Sequence, residues 1–368
     1  MNKTFRIFLF SLFISPLAFT QELTSDISGV VSNGGDAVGG ATVEITYVPT
    51  NTKVTKVTAD NGRYRAAGLR PGGPYKIKAS ANGLLPDSVE TFLQVGETGR
   101  VSFSLVSVGD VDDVVVVGQK IEQMTAQGYT TTIDAETIQN TPSITRDIKD
   151  LMRLNPLVSL DDAEDGNEAI SIGGAHPRSN DIKVDGVSFN DDFGLNGNGY
   201  PSQRSPLNLD AIEQMSIKVA PASVEYSNFR GGVIEFITKG GTNEFTGSAA
   251  FYDRGDQFYG DKIDGRDYSF DKEDTATSFT FGGPIIQDKA FFFTSYEESV
   301  LTNPVLFGPA GSNAQIEQSI TTAQVAEIRQ TTIDLYGFDP LSYADTTEST
   351  QENVTLRLDY IVDENHRL

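Results

Sequence analysis

Apolar residues at every second position mark a series of short strands near the start of the chain. The clearest examples are residues 43–47, 75–79 and 101–105, where such alternation is typical of a half-buried strand. Turn-forming residues separate the segments, as at Asp60-Asn61-Gly62. About seven strands of this kind in roughly 80 residues predict a β-sandwich over residues 24–107.

Helix and strand patterns alternate over residues 131–240 and predict an α/β domain there. Asp134 has the position of a cap for a short helix, and Pro142 that of the first residue of a second helix. Residues 209–215 have the apolar spacing of a third. Strands are expected at residues 169–172, 216–219 and 233–237, and a hairpin at residues 182–189 with Asp185-Gly186 at its turn.

Longer alternating segments follow from residue 241 onward, at residues 245–252, 277–281, 290–296 and 354–362. Strands of a membrane barrel need this period over about 9–11 residues. The short turn at residues 287–289 and the long acidic loops at 253–274 and 301–351 are typical of the two ends of a barrel. Four strands leave unpaired edges, which lipid does not tolerate. We therefore expect residues 241–368 to be the incomplete start of a transmembrane antiparallel β-barrel, in the N-terminal part of a longer protein.

The first twenty residues have the pattern of a secretory signal peptide. Lys3 and Arg6 precede an apolar run over residues 7–14, and Pro16 ends that run. The run is shorter than the ~20 apolar residues that a membrane-spanning helix needs. We expect residues 1–20 to direct export and to be removed.

Composition narrows the choice of function. The chain has 28 basic and 51 acidic residues, a formal net charge of −23, no Cys and two His. The lack of Cys excludes disulfides and thiolate chemistry. The only two His are far apart in the sequence, which disfavours a catalytic triad. The acidic balance disfavours nucleic acid as a partner. We expect a mainly β protein that is not an enzyme and needs no cofactor.

An apolar island lies in the linker of residues 108–130, where Val114, Val115, Val116 and Val117 follow one another. β-Branched residues favour an extended chain. Two interpretations stay open. The island is the last strand of the sandwich, or it docks as a strand on the sheet edge of another protein, where main-chain hydrogen bonds supply the affinity.

Residues 24–107 contain the segments ISGVV, GGATVEI and TADNGRYRAAGLRPGGPYKIKASANGL and resemble the carboxypeptidase regulatory-like domain. The resemblance implies an accessory sandwich without catalytic residues, similar to carbohydrate-binding sandwiches. An aromatic platform for glycan is not evident, so we expect Tyr47, Tyr64 and Tyr75 to be core residues. A secreted or surface glycan-binding module is nevertheless the alternative function. A hydrolase, which only the name of this domain suggests, has little support from two His and no Cys.

Residues 131–240 resemble the plug of TonB-dependent outer-membrane receptors. The matching segments are ISIGG at 170–174, IKVDGV at 182–187, LDAIEQMSI at 209–217 and VEYSNFRGGVIEFITKGGTN at 224–243, of which the last is the most specific. The plug motif residues are Asp185, Gly186, Gly231, Gly232, Lys239 and Gly240. The sequence departs from the family where Gly173 replaces its usual Arg and where Asn228-Phe229 replaces a simpler turn.

The segment FGGPIIQDKAFFFTSYEE at 281–298 is similar to the Oar-like subgroup of these receptors, which also has the regulatory-like domain. The resemblance implies active uptake of an unidentified substrate past a plug that an energising partner gates. It places the chain in the outer membrane, with the sandwich and the partner-binding segment in the periplasm. The implied partners are a TonB-type energising protein, outer-membrane lipid and a surface lipoprotein. The implied partner-binding segment, the TonB box, is Asp113, Val114, Val115, Val116, Val117 and Gly118.

Two plug loops, residues 161–168 and 190–205, are candidates for contact with substrate. The first is acidic, but Ala163 and Ile172 occupy ligand positions of an EF-hand, so no calcium site is expected. The second is rich in glycine, but Ser202 breaks the GxGxxG spacing, so no phosphate site is expected. We expect no metal site, and peptide, protein, glycan and metal chelate stay open as substrates.

Overall fold

The computed structural model shows a chain built almost entirely of sheets. It describes residues 24–96, 98–108, 122–124, 129–143, 146–162, 168–191, 193–194, 196–197, 199, 201–202, 204–222, 226–255, 258, 262–263, 266–267, 272–312, 314, 316–363 and 366–367. The signal peptide expected at residues 1–20 lies outside the described residues.

Two sheets form the sandwich domain, as the alternation predicted. Its strands are β1 Ser25–Asn33, β2 Asp36–Ala37, β3 Thr42–Tyr47, β4 Thr52–Val57, β5 Arg63–Leu69, β6 Gly72–Ser80, β7 Asp87–Leu93, β8 Thr98–Arg100 and β9 Phe103–Ser104. One sheet has the order β4-β3-β6-β7. In the other sheet, β1 pairs with β2, β5, β8 and β9. The alternating segment at residues 101–105 buries every second side chain, but only two of its residues pair as a strand.

The core of the sandwich lies between these two sheets. Tyr47, Tyr64 and Tyr75 are 7%, 5% and 2% exposed, so the expectation that they are core residues is confirmed. The Tyr64 hydroxyl donates to the Val101 carbonyl at 2.6 Å, which satisfies its one polar atom in the core. Burial raises the pKa of the Tyr64 phenol. The tyrosines therefore stabilise the sandwich and do not form a glycan platform.

A mixed five-stranded sheet is the centre of the plug domain. Its elements are β10 Glu122–Met124, β11 Tyr129–Asp134, α1 Ala135–Asn140, α2 Ile148–Met152, β12 Val158–Asp162, β13 Glu168–Ile172, β14 Asp181–Val184, β15 Val187–Ser188, β16 Ile212–Val219 and β17 Gly232–Thr238. Strand β10 is not part of the plug sheet, because it pairs with β8 of the sandwich. The sheet has the order β11-β16-β17-β14-β15, and β12 and β13 form a separate hairpin. Its core includes the buried residues Ile148, Leu151, Met152, Ile172, Met215, Ile217, Ile234 and Phe236.

Two helix predictions in the plug need correction. The second helix begins at Ile148 with Asp147 as its cap, because Arg146 has a φ of +52° that no helix accepts. Residues 209–215 are a single 3₁₀ turn, Leu209–Ala211, followed by strand β16. Strand β16 is central in the sheet and is buried on both faces, so its apolar residues lose the two-residue period that identifies a strand. The prediction that Asp134 caps α1 is confirmed, since its carboxylate accepts from the Thr137 N–H at 2.8 Å.

Four long antiparallel strands form one sheet beside the plug, and we call this sheet the wall. They are β18 Thr246–Arg254, β21 Glu273–Ile286, β22 Ala290–Pro304 and β25 Thr346–Asp363, paired in this order. The shorter elements here are β19 Lys262–Ile263, β20 Arg266–Asp267, β23 Phe307–Ala310, β24 Ile316–Thr321, α3 Thr322–Tyr336 and β26 His366–Arg367. We call the end of the wall at Thr246 and the turn 287–289 the lower end, and the end at Arg254 and Asp274 the upper end.

The two faces of the wall differ in polarity. Val354, Leu356 and Leu358 are 72%, 69% and 63% exposed on the face turned away from the plug. Ser295 and Glu297 are 1% and 6% exposed on the face turned towards it. The inward face also buries Phe291 and Phe293 towards the lower end. The exposed apolar face and the largely polar inward face are typical of a transmembrane barrel strand. Within the part of the chain that the structure describes, no helix is long and apolar enough to cross a membrane.

Helix α3, like β23 and β24, lies in residues 301–351, for which the sequence pattern predicts a long loop. Thr321 and Gln324 form a capping box at its start, and Gly337 ends it with a φ of +64°. These signals are present in the sequence. The helix buries none of its residues, however, so it lacks the apolar face by which helices are usually recognised.

The plug and the wall should behave differently as separate fragments. Residues 129–240 have their own apolar core and capped helices, so we expect them to be soluble and monomeric when expressed alone. Residues 241–363 expose an apolar face and unpaired strand edges, so we expect them to aggregate. Size-exclusion chromatography of the two fragments checks this, and a soluble monomeric wall fragment would show that its outer face was misassigned.

Candidate functional site

The predicted partner-binding segment, Asp113–Gly118, lies outside the described residues. The chain on both sides of it is held by strand pairing. After it, β10 pairs antiparallel with β8, with Gln123 opposite Gly99. Strand β11 then begins at Tyr129 and forms one edge of the plug sheet. A partner that binds residues 113–118 would therefore act on two edge strands, one on the sandwich and one on the plug.

Asp185 and Gly186 form the hairpin turn between β14 and β15, as predicted, with φ of +46° and +85°. These values belong to the turn type for which Asp-Gly is favoured. The Asp185 carboxylate also accepts from the Thr238 N–H at 3.0 Å and from its hydroxyl at 2.6 Å. Asp185 thus joins the hairpin to the end of β17.

The other motif residues lie where two parts of the plug approach closely. A Cβ atom at Gly231 would lie 2.8 Å from the Ile172 carbonyl oxygen, and one at Gly232 would collide with Ile172 and Lys218. The Lys239 N–H donates to the Ala211 carbonyl at 2.8 Å. Gly240 lies directly against the guanidinium of Arg70 of the sandwich. The structure places the whole motif in packing positions within and beneath the plug.

The two candidate loops are described only in part. Residues 163–167 of the acidic loop lie outside the described residues, and the flanking strands β12 and β13 pair as a hairpin. In the loop of residues 190–205, the Gly194 carbonyl accepts from Arg178 at 2.7 Å. At its far end, Arg204 contacts the wall. The structure therefore brings the second loop to the boundary between plug and wall.

Arg146 is a central contact between plug and wall that sequence analysis did not identify. Its Nη2 lies 3.0 Å from the Asp210 carboxylate in the plug and 3.1 Å from the Glu297 carboxylate in the wall. Its guanidinium also stacks on the Tyr252 ring, 3.8 Å from the ring centroid. Arg146 itself has a left-handed backbone and immediately precedes Asp147, the cap of α2.

Neighbouring polar groups extend this contact. The Asn208 amide donates to the Ser278 hydroxyl at 3.0 Å, and that hydroxyl donates to Asp210 at 2.6 Å. Higher on the wall, Asp274 accepts from Arg204 of the plug at 2.7 Å and from Arg254 of the wall at 2.8 Å. At these points the plug contacts the wall through charged and polar side chains.

A cavity of about 420 Å³ opens at the upper end, between plug and wall. Its lining combines positive charge with aromatic surface and two carboxylates. The residues are Ser143, Arg146, Arg204, Tyr252, Asp253, Arg254, Phe258, Asp274 and Ala276. The cavity shares Arg146 with the ion pairs that seat the plug, so a molecule bound there would contact the same side chain that joins plug and wall. Among the described residues, no group of three or more His, Asp or Glu side chains is placed to hold a metal ion.

Two family models match the chain in consecutive segments. Residues 26–106 match the carboxypeptidase regulatory-like domain, and residues 122–233 match the TonB-dependent receptor plug domain. The first match covers the sandwich, and the second covers the linker strand β10 and most of the plug sheet.

Two curated relatives align with parts of the chain. The TonB-dependent transporter Oar of Myxococcus xanthus is 27% identical over 341 residues, which are 83% of this chain and 30% of the relative. The ferrienterobactin receptor of Escherichia coli K12 is 30% identical over 148 residues, 37% of this chain and 20% of the relative. The chain spans less than a third of the length of either relative.

Among solved structures, the chain is similar to the siderophore receptor PirA of Acinetobacter baumannii, with a TM-score of 0.40, 25% identity and 48% of this chain covered against 25% of that chain. The outer membrane transporter YddB of E. coli gives a TM-score of 0.42 at 17% identity, over 66% of this chain and 33% of that chain. The two domain matches in this order, and the alignment with a TonB-dependent transporter over most of the sequence, show that the chain belongs to the TonB-dependent receptors of the outer membrane that have an N-terminal carboxypeptidase regulatory-like domain.

Proposed function

We propose that this chain acts in active uptake across the outer membrane, with the plug as the gate and a TonB-type protein as the energising partner. The observation that supports it most directly is the seating of the plug. Arg146 and Arg204 tie the plug to the polar face of the wall through ion pairs, while the opposite face of the wall is apolar. Ion pairs at such a boundary can be replaced by water when the plug moves, whereas an apolar contact of the same size would resist hydration.

The names of the relatives support transport as the class of function. One is called a TonB-dependent transporter, and the other is called a ferrienterobactin receptor. We infer that residues 113–118 are the segment that the energising partner binds by adding a strand. The substrate stays unidentified, and we propose the cavity at Arg204 and Tyr252 as the place where it first meets the plug. The loop of residues 190–205 contributes Arg204 to this cavity, so we propose that it contacts substrate. Contact of the loop of residues 161–168 with substrate stays a prediction.

The remaining partners follow from the two faces of the wall and from the family. The apolar face at Val354 and Leu356 is the surface that we expect to contact outer-membrane lipid. A surface lipoprotein that caps the barrel stays a prediction. A glycan-binding module is not favoured, because the three sandwich tyrosines that could have formed a platform are buried.

The partner-binding segment can be tested through its backbone. Val115→Pro and Val117→Pro each remove an N–H donor, whereas Val115→Ala keeps the donor and the extended chain. Loss of one or two main-chain hydrogen bonds should weaken binding of the purified periplasmic domain of the TonB-type partner by about tenfold or more. The alanine variant should stay within about threefold. Biolayer interferometry on the detergent-solubilised receptor measures both.

The same variants test transport. Growth of cells with and without the receptor on limiting iron chelates, peptides or glycans identifies a compound whose use requires it. Both proline variants should then abolish that growth at unchanged receptor abundance, and Val115→Ala should support it. Equal growth of all three variants would contradict the assignment of residues 113–118 as the energised segment.

Arg146 should be needed to keep the plug seated. Arg146→Met leaves Glu297, which is 6% exposed, without its cation, and removing one partner of a buried pair costs about 3–5 kcal/mol. We expect cells with this variant to admit a bulky hydrophilic antibiotic that the unaltered receptor excludes. Arg153→Met is the matched control, because Arg153 pairs with Glu168 at the surface, where a pair contributes about 1 kcal/mol or less. Identical antibiotic sensitivity of the two variants would contradict the role given to Arg146.

A further inference from the structure

The sandwich is bound to the plug through main-chain groups that follow β7. The Val95 N–H donates to the Gln214 side-chain oxygen at 3.2 Å, and the Gln214 amide donates to the Leu93 carbonyl at 3.3 Å. Gln214 is 3% exposed and lies in the central strand β16 of the plug sheet. One amide side chain thus satisfies two main-chain groups of the sandwich, as a neighbouring strand would.

A buried ion pair lies beside this contact. Lys218 and Glu235 are 1% and 0% exposed and pair with each other across β16 and β17. The Lys218 ammonium also donates to the Val95 carbonyl at 3.3 Å. Gly96 permits this approach, since a Cβ there would lie 3.3 Å from the ammonium and the residue has a φ of +68°. The sandwich therefore supplies one of the hydrogen bonds of the Lys218 ammonium inside the plug.

A second contact joins all three parts of the chain at the lower end. Arg70 of the sandwich is 5% exposed and lies 3.8 Å from Asp359 of the wall, which is 7% exposed. Arg357 of the wall binds the same carboxylate at 2.9 Å. Arg357 also donates to the Thr238 carbonyl of the plug at 3.1 Å and lies 3.5 Å from Asp185. Asp359 is thus shared by a cation from the sandwich and a cation that binds the plug.

A third contact fixes the sandwich to the junction between plug and wall. The Asn243 N–H, which follows the plug and precedes β18, donates to the Pro49 carbonyl at 2.9 Å. The Asn243 side chain in turn binds Asp288 in the turn at the lower end of the wall, at 2.8 Å. The three contacts join the sandwich to the plug sheet, to the wall and to the segment between them.

We propose that the sandwich is a latch: docked, it ties the plug to the lower end of the wall, and it must undock before the plug can be remodelled. Its place in the chain agrees with this role, because the candidate TonB box, residues 113–118, directly follows the sandwich and precedes the plug. The link to uptake rests on the proposed function, but the docking and its effect on the plug do not.

Docking can be measured with engineered cysteines, because the chain has no Cys of its own. Val95 is 1% exposed, lies outside the buried core cluster of the described sandwich residues and binds Gln214 and Lys218 through its main chain, so we expect docking to cover its side chain. Val101 is 2% exposed within that core. Val95→Cys therefore reports undocking, and Val101→Cys reports unfolding of the sandwich. The reagent is N-ethylmaleimide, applied to the receptor in isolated outer membranes.

The variant that weakens the latch is Arg70→Met, which keeps an unbranched stem, removes the guanidinium and leaves Asp359 bound by Arg357. The matched control is Arg65→Met, because Arg65 is exposed and its partner, Asp26, belongs to the same domain. Arg70→Met should accelerate labelling of Val95→Cys about tenfold, as loss of one ion-pair contact in a docking equilibrium allows. Labelling of Val101→Cys should not change, and Arg65→Met should change neither rate.

The effect on the plug is measured with the purified receptor in planar lipid bilayers, as the urea concentration at which it begins to conduct. Arg70→Met should lower this concentration by about 1 M relative to Arg65→Met. Rapid labelling of Val95→Cys in the otherwise unaltered receptor would show that the sandwich is not docked. Faster labelling of the Arg70→Met variant at an unchanged urea threshold would show that it docks without acting as a latch. Either result overturns the proposal, and neither depends on whether the receptor transports a substrate.

Discussion

The polarity of the wall determines how every other part of the chain is attached. A strand in lipid turns its apolar side chains outward, so Val354 and Leu356 cannot pack against the plug. Residues on the opposite face of the strands, such as Glu297 and Asp359, face inward. The inward face buries Phe291 and Phe293 towards the lower end, but further up it is polar. There the plug is held by Arg146, by Arg204 and by their hydrogen-bonded neighbours. A domain attached in this way can be seated firmly and still be released into water.

Buried charges make such an attachment specific. A buried ion pair gains little net stability, since the attraction between the charges is offset by the loss of their hydration. A displaced partner, in contrast, leaves an uncompensated charge, which is costly. Glu297 and Asp359 each face a cation from another part of the chain, so a misplaced plug or sandwich would leave a carboxylate without its partner. The clusters thus fix the position of the parts more than they increase the stability of the whole.

The sequence predicted those elements whose pattern is local. Asp134 caps α1, Asp185-Gly186 turns a hairpin, and the alternation over residues 354–362 gives a wall strand, because each depends on a few neighbouring residues. Residues 209–215 were mistaken for a helix because β16 is buried on both faces, and only its neighbours β11 and β17 reveal this. The contact between plug and wall could not be predicted from neighbouring residues in the sequence. Arg146 and Glu297 are 151 positions apart, and neither has a neighbour that marks it as half of an ion pair.

The order of the strands around residues 113–118 determines where a pulling force would act first. Strand β10 follows this segment and is held on β8 by three residue pairs, and β11 comes next with six pairs to β16. Both are edge strands, so each loses its pairs one after another from its N-terminal end, beginning in β11 with Tyr129 opposite Val219. Strand β16, which carries Gln214 and Lys218, is the next strand in the sheet and also the one on which the sandwich rests. Loss of β11 would therefore uncover the strand that holds the sandwich, which couples the first step of plug opening to the contact that keeps the sandwich in place.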